Sequence, residues 1–331
     1  MRRQATGLVS YLSVFQYFFV MVQRLDLKLG FACNNNCLSC PQAHRRHLGD
    51  LSTAQAKELI LAGLRDGAWE LVLTGGEPTV RNDFLELTQF ARQKGYKRVQ
   101  LQSNGRMLSY KSFAKQAVEA GVTDFCVGLH SDKAEVHDSL TRSPGSFEQA
   151  VLGIKNLVGL KQRVTINSVI HKLDFERLPM RAELAVNLGI NQFQLAFIHC
   201  VGNAKQNIDL LLPKKSEVKP FVHKALDIAL AAGLKAMVEA YPYCFMEGYE
   251  KYCSELYMPR SEIRDAEGVI EDFDFVRKNS GKSKHLKCGE CRFDLVCEGP
   301  WKEYIEKFGW SEFVPVKGRK VLSPRDLLGE N

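Results

Sequence analysis

The sequence predicts an α/β protein: an open, partial (β/α)6 parallel barrel followed by a small loop-rich domain held together by metal. Three observations carry that expectation. Strand-like and helix-like runs alternate between residues 24 and 232, and repeated βα units require a parallel sheet with right-handed crossovers. The alternation fails after residue 233. Two groups of closely spaced cysteines mark the two regions: Cys33, Cys37 and Cys40, then Cys288, Cys291 and Cys297. Six units are too few to close an eight-stranded barrel.

The first strand spans 25–31, with apolar residues in period two. Ser52-Thr53-Ala54-Gln55 is a capping box that opens a helix reaching residue 66. A strand over 69–74 ends at Gly75-Gly76. A helix over 83–94 stops at Gly95, a strand over 98–102 ends at Ser103-Asn104-Gly105, and a helix over 109–120 stops at Gly121. Strands at 124–129, 164–170 and 192–198 then alternate with helices at 146–158, 175–188 and 215–232. Residues 234–240 read as one more strand, 259–287 as polar loop, and 301–308 as a short helix. The expected division is an N-terminal extension (1–23), the barrel (24–232) and the C-terminal domain (233–331).

Of the 331 residues, 45% are apolar and 25% charged, which excludes long disorder and collagen-like repeats. A net charge of +7 is a mild bias. It permits an anionic substrate or an acidic redox partner and gives no strong nucleic-acid signal. Ten cysteines are too few for a disulfide scaffold in a chain this long. Thiols three or four residues apart would form strained disulfides, so their clustering points to metal. At the N-terminus, Met1-Arg2-Arg3 precedes an apolar stretch interrupted by Ser10, Ser13 and Gln16. It lacks the small-residue cleavage site of a secretory signal and is too broken for a clear membrane span. Three readings stand open: an extension ahead of a natural start at Met21, a short surface helix, or a membrane anchor. Thiolate clusters suit a reducing compartment, so a cytoplasmic location is expected, with membrane attachment the least favoured reading.

Cys33, Cys37 and Cys40 form C-x3-C-x2-C directly after the first strand. Three such thiols can wrap one face of an iron–sulfur cube and leave its fourth iron open. A structural zinc site would want a fourth ligand nearby. Asn34, Asn35 and Asn36 favour loop conformations that turn N–H groups toward sulfur. Unpaired or zinc-binding cysteines are the plainer alternative. With Gly75-Gly76-Glu77-Pro78 after the second strand and Ser103-Asn104-Gly105 after the third, residues 24–200 resemble the radical S-adenosylmethionine (SAM) superfamily. The resemblance implies a [4Fe–4S] cluster on Cys33, Cys37 and Cys40, with SAM chelating the open iron. It also implies that Gly75, Gly76, Glu77 and Pro78 surround the SAM amino group, and that Ser103 and Asn104 hold its carboxylate or ribose. Two positions depart from the pattern. Ser39 replaces an aromatic residue, for which Phe31 can compensate. Gly128 and His130 replace a Ser-x-Asp pair, so Ser131 or His130 takes that SAM contact. Asn167 and Ser168 lie within reach of the SAM sugar or of a structural partner.

Cys288, Cys291 and Cys297 form C-x2-C-x5-C, a metal signal in its own right. The spacing resembles the auxiliary-cluster domain, SPASM or the shorter Twitch type, of radical SAM peptide maturases and molybdopterin precursor synthases. Trp301 stands where the double-cluster version has a further cysteine, so one auxiliary [4Fe–4S] cluster is implied. Its fourth ligand is Cys244 or Cys253, with Cys244 favoured because Pro242 and Phe245 fix its loop; an open iron and a zinc site are the alternatives. Cys200, after the sixth strand, is the catalytic candidate or else a buried core thiol. His44-Arg45-Arg46-His47 would grip an anionic substrate or an acidic reductant, or is a solvated basic loop. The reaction implied by the resemblance begins with a one-electron reductant of flavodoxin or ferredoxin type. SAM is then split to methionine and a 5′-deoxyadenosyl radical, which abstracts hydrogen from a peptide, a protein or a small metabolite. The rival is a non-catalytic iron–sulfur electron carrier or scaffold, which has no use for a SAM amine site.

Overall fold

The computed structural model describes residues 22–328. The readings of the N-terminal apolar stretch, and of Met21 as a start, lie outside the described residues. One sheet organises the chain. Its strands are β1 (Arg24–Lys28), β2 (Glu70–Thr74), β3 (Arg98–Ser103), β4 (Asp124–Gly128), β5 (Arg163–Ile170), β6 (Gln192–Phe197), β7 (Lys235–Glu239), β8 (Ser261–Asp265) and β9 (Gly268–Ile270). Their order is β7-β6-β5-β4-β3-β2-β1-β8-β9. Every pairing is parallel except the β8–β9 hairpin. The sheet stays open, with β7 and β9 at its edges, as a partial barrel requires.

The helices cover one face: α1 (Thr53–Arg65), α2 (Phe84–Lys94), α3 (Lys111–Ala120), α4 (Ala134–Thr141), α5 (Ser146–Gly159), α6 (Leu178–Asn187), α7 (Asn203–Gln206), α8 (Ile208–Leu211) and α9 (Lys215–Ala231). The Ser52–Gln55 capping box closes in both directions on α1, and left-handed Gly95 and Gly121 end α2 and α3. Strand side chains alternate between faces. Leu25, Leu27, Leu71, Leu73, Val99, Leu101, Phe125 and Val127 are buried beneath the helices. The opposite set lines the barrel interior and mixes polar side chains with a few apolar ones. In register across it stand Lys28 and Thr74, Gln102 and Cys126, Asn167 and Gln194, and Ala196 and Glu239. The N-terminal end is bound by an ionic row. Glu70 pairs with Arg24 and Arg98, and Asp124 with Arg98 and Arg163, at 2.7–3.3 Å. The C-terminal end carries the loops that matter.

Two expectations need correction. Residues 259–287 are not simply loop, because β8 extends the sheet beside β1. Ser-Glu-Ile-Arg-Asp has a single large apolar residue and so no period-two signal. Arg264 holds the strand by pairing with Glu262 at 3.0 Å and with Asp66, and Arg45 by bonding Asp265 at 2.7 Å. The boundary at residue 233 consequently falls inside the sheet, since β7 and β8 join opposite flanks of the barrel. Beyond them lie α10 (Phe273–Val276), α11 (Lys302–Phe308) and α12 (Arg325–Leu328). Lys215 ties this region to the barrel. It is fully buried, donates from Nζ to the Ala240 carbonyl at 3.0 Å and lies 3.0 Å from the Phe197 ring centre. Its backbone N–H donates to the Tyr304 hydroxyl of α11 at 2.8 Å.

Candidate active site

Parallel α/β sheets place their sites at the C-terminal ends of strands, and the expected motifs converge there. The β2 loop is laced to the chain leaving β1: Gly76 N–H donates to Gly30 O and Glu77 N–H to Ala32 O, both at 2.8 Å. A Cβ on Gly75 would lie 2.2 Å from Gly30 O, and one on Gly76 would lie 2.1 Å from Ala32 O. Both glycines are therefore required by the backbone of the cysteine loop itself. The far side of that loop hangs on the end of α4, through Asn36 N–H to Thr141 O at 3.0 Å and Leu38 N–H to Leu140 O at 2.7 Å. Asn203 of α7 holds it from below, donating to Cys37 O from Nδ2 at 2.9 Å and to Cys40 O from its backbone at 3.0 Å.

Cys33, Cys37 and Cys40 are free, half-buried thiols. Burial, then the neighbouring Cys40 and Cys33, push the Cys37 thiol up to about 12. Burial likewise raises Cys33, opposed by the Asn35 N–H, which donates to its sulfur at 3.4 Å. Asn104 Nδ2 approaches the same sulfur at 3.9 Å. Three crowded thiols can lose their protons together only against a cationic partner. N–H groups aimed at sulfur suit cluster ligation, so these residues fit an iron–sulfur group. Among the described residues no three His, Cys, Asp or Glu side chains close on one point to hold a single metal ion.

Glu77 is buried and is a strut between loops. Its Oε1 accepts from Thr79 N–H (3.1 Å), Thr79 Oγ1 (2.6 Å) and Ser103 Oγ (2.9 Å), and its Oε2 accepts from Asn104 N–H (2.6 Å). Burial raises its carboxyl and these bonds oppose the rise. Pro78 opens a short 3₁₀ turn behind it. Ser103 and Asn104 are thus fastened by the β2 loop, with the Asn104 side chain on Asn34 Oδ1 at 2.6 Å.

Ser131 is buried. Its hydroxyl donates to Asp174 Oδ2 at 2.6 Å and accepts from Lys133 N–H at 3.0 Å, so its oxygen is engaged within the protein. Ser168 pairs with Arg181 at 3.2 Å, whereas Asn167 Oδ1 is buried with no protein partner. Half-buried His130 and buried His137, His171, Asp174 and Arg181 surround these positions. Arg181 bonds Asp174, Val169 O and His171 Nε2. His130 N–H donates to His137 Nδ1 at 3.2 Å. Sequence reasoning missed His171, Asp174 and Arg181, which share no local motif and meet only through the fold. Phe31 is buried beneath Arg45, whose guanidinium sits 4.5 Å from its ring centre.

Residues 27–185 match the model of the Radical SAM superfamily. This stretch is a radical SAM domain. Over 312 residues the chain is 26% identical to the AdoMet-dependent heme synthase of Methanosarcina barkeri, covering 82% of this chain and 89% of that one. It is 31% identical over 189 residues to the probable GTP 3′,8-cyclase of Saccharolobus islandicus, covering 56% of this chain and 59% of the cyclase. In structure it resembles SuiB of Streptococcus suis. The SAM-bound crystal structure gives a TM-score of 0.63 at 16% identity, over 92% of this chain and 77% of SuiB. The SuiB structure bound to precursor peptide SuiA gives 0.63 at 14% identity, over 92% and 76%.

Beyond the radical SAM domain, Cys244, Cys288, Cys291 and Cys297 line one cavity of about 380 Å³ with Phe293, Trp310 and Phe313. Burial, then Cys297, Cys291 and Cys288, push the Cys244 thiol up. Cys253 is buried outside this lining, 3.9 Å from Tyr241 O. Cys200 is only 1% exposed, in the core, and burial pushes its thiol up to about 12. Its neighbour His199 stacks on Trp301 at 3.8 Å. Glu239 faces the barrel interior and accepts from Gln194 Nε2 at 2.7 Å.

Proposed function

We propose that this chain is a radical SAM enzyme that cleaves SAM reductively and abstracts hydrogen from a peptide or small-molecule substrate. One observation carries the reading: the cysteine loop, the glycine loop and the Ser103-Asn104 loop are hydrogen-bonded into one unit at the C-terminal end of the sheet. A [4Fe–4S] group held by Cys33, Cys37 and Cys40 would supply the one electron that splits SAM to methionine and the 5′-deoxyadenosyl radical. The chain's own residues position and exclude water. Cys33, Cys37 and Cys40 hold the group, and Asn35 and Asn104 place donors at sulfur. Gly75 to Pro78 set the loop at the SAM amine, with Glu77 steadying Ser103 and Asn104. The polar interior, including Gln102, Asn167, Gln194 and Glu239, offers hydrogen bonds to substrate. The heme synthase's name and SuiB's peptide complex together support both substrate classes.

A second [4Fe–4S] group on Cys244, Cys288, Cys291 and Cys297 completes the reading, supported by the shared cavity and against Cys253 as ligand. Its donor set is four soft thiols in a largely apolar pocket. The test is anaerobic reconstitution followed by iron analysis and electron paramagnetic resonance of the dithionite-reduced chain. SAM is expected to shift the signal that Cys37→Ala abolishes and to leave alone the signal that Cys291→Ala abolishes. A signal indifferent to SAM in both variants would favour the electron carrier.

A further inference from the structure

The cavity of the second thiol set opens on a face with a distinct composition. Segments 284–297 and 314–322 build it and are laced together. Arg292 N–H donates to Val316 O at 2.7 Å and Val321 N–H to Arg292 O at 2.8 Å. Lys320 Nζ donates to Cys291 O at 2.9 Å, so the basic strap lies directly against the thiol loop. The two segments carry Lys284, Lys287, Arg292, Lys317, Arg319 and Lys320 against Glu290 and Asp294. That is +4 of the chain's net +7. Both acids are already paired, Asp294 with Lys284 at 3.3 Å and Glu290 with Lys317 at 2.7 Å. Among these charges stand exposed apolar side chains: Leu286 at 95%, Val314 at 69% and Leu322 at 68%. A lone exposed leucine is ordinary; several within two laced segments beside a thiol cavity give this face the mixed apolar and charged composition of an interface.

The loop at the first thiol set offers no such surplus. Arg45 is paired with Asp265 and Glu267, and Arg46 donates to Asn35 O at 2.6 Å. We propose that the face formed by 284–297 and 314–322 docks an acidic one-electron carrier protein. Its electron destination rests on the reading that Cys244, Cys288, Cys291 and Cys297 hold a cluster. The carrier gives up one electron and is oxidised by one unit; the group on the four thiols gains that electron, and no bond breaks. Opposite charge steers the encounter, and Leu286 and Val314 slow its release.

The experiment measures binding of an acidic flavodoxin to the anaerobically reconstituted full chain, between about 0.01 M and 0.15 M salt. The double variant Lys317→Glu, Arg319→Glu is expected to raise Kd by about tenfold or more and to flatten its salt dependence. Leu286→Ser is expected to speed dissociation with the salt dependence kept. The pair His44→Glu, His47→Glu, beside the first thiol set, is expected to bind like the parent. Dithionite-driven SAM cleavage in the double variant stays at the parental level, which separates docking from the chemistry. The proposal is overturned if flavodoxin fails to bind, if the His44, His47 pair carries the loss, or if duplex DNA displaces the carrier with equal affinity. Iron analysis reads the cluster separately. A chain holding only about four irons that still binds flavodoxin through this face keeps the docking surface and loses the electron destination.

Discussion

Glu77 shows how one side chain can serve a site without touching a reacting atom. Four donors converge on its two oxygens, and without it the buried pair from Thr79 and the half-buried pair from Ser103 and Asn104 would lose this acceptor. Glu77→Gln replaces one acceptor by an N–H₂ facing a donor. Leaving a buried donor unpaired costs about 1–3 kcal/mol. A lower urea midpoint and weaker SAM binding are expected, with the iron content of the first set retained. Gly76→Ala acts differently, because its methyl would meet Ala32 O at 2.1 Å. Overpacking of this kind costs about 1–3 kcal/mol, and displacement of residues 31–33 should lower iron retention, read by iron analysis against the parent. The motif residues were legible from their order along the chain. The role of Glu77 as a strut was not, because its partners Ser103 and Asn104 lie some 26 residues away.

At the scale of elements, α4 is the part that spacing alone could not supply. Its eight residues hold the cysteine loop through Thr141 and Leu140, and it is fixed to the β4 loop through His137. Burial pushes His130 down to about 3 and His137 down to about 4. The unfolded chain takes up these protons near pH ~6.5, so their contribution is complete above that value and declines as pH falls toward 4. Glu77, Asp174 and Glu239, raised by burial, act in the opposite sense. The comparison of parent with His137→Asn isolates the histidine. Urea unfolding of the metal-free chain should lose stability from pH ~6.5 to ~4.5 less steeply in the variant than in the parent. Period-two strands and glycine-stopped helices made β1 to β7 legible. The polar strand β8, held by Arg264 and Arg45, left no such signal.

On the scale of the whole molecule, the C-terminal region is joined to the barrel through β7, β8 and the buried Lys215, and the two thiol sets belong to one folded unit. If both sets bind clusters, the reconstituted chain should hold about eight irons, and Cys297→Ala about four, by iron analysis. Cys253→Ala should retain the full count. The C-x2-C-x5-C spacing made the second set legible, Pro242 and Phe245 already favoured Cys244 as its fourth member, and the fold places Cys244 rather than Cys253 in the lining of the same cavity. The substrate was not legible, since the polar interior is assembled from single residues on separate strands. The most direct measurement is product analysis of SAM incubated with the anaerobically reconstituted chain and dithionite. Equal amounts of 5′-deoxyadenosine and methionine are predicted from the parent, with none from Cys33→Ala. Intact SAM in the presence of a fully loaded chain would contradict the account.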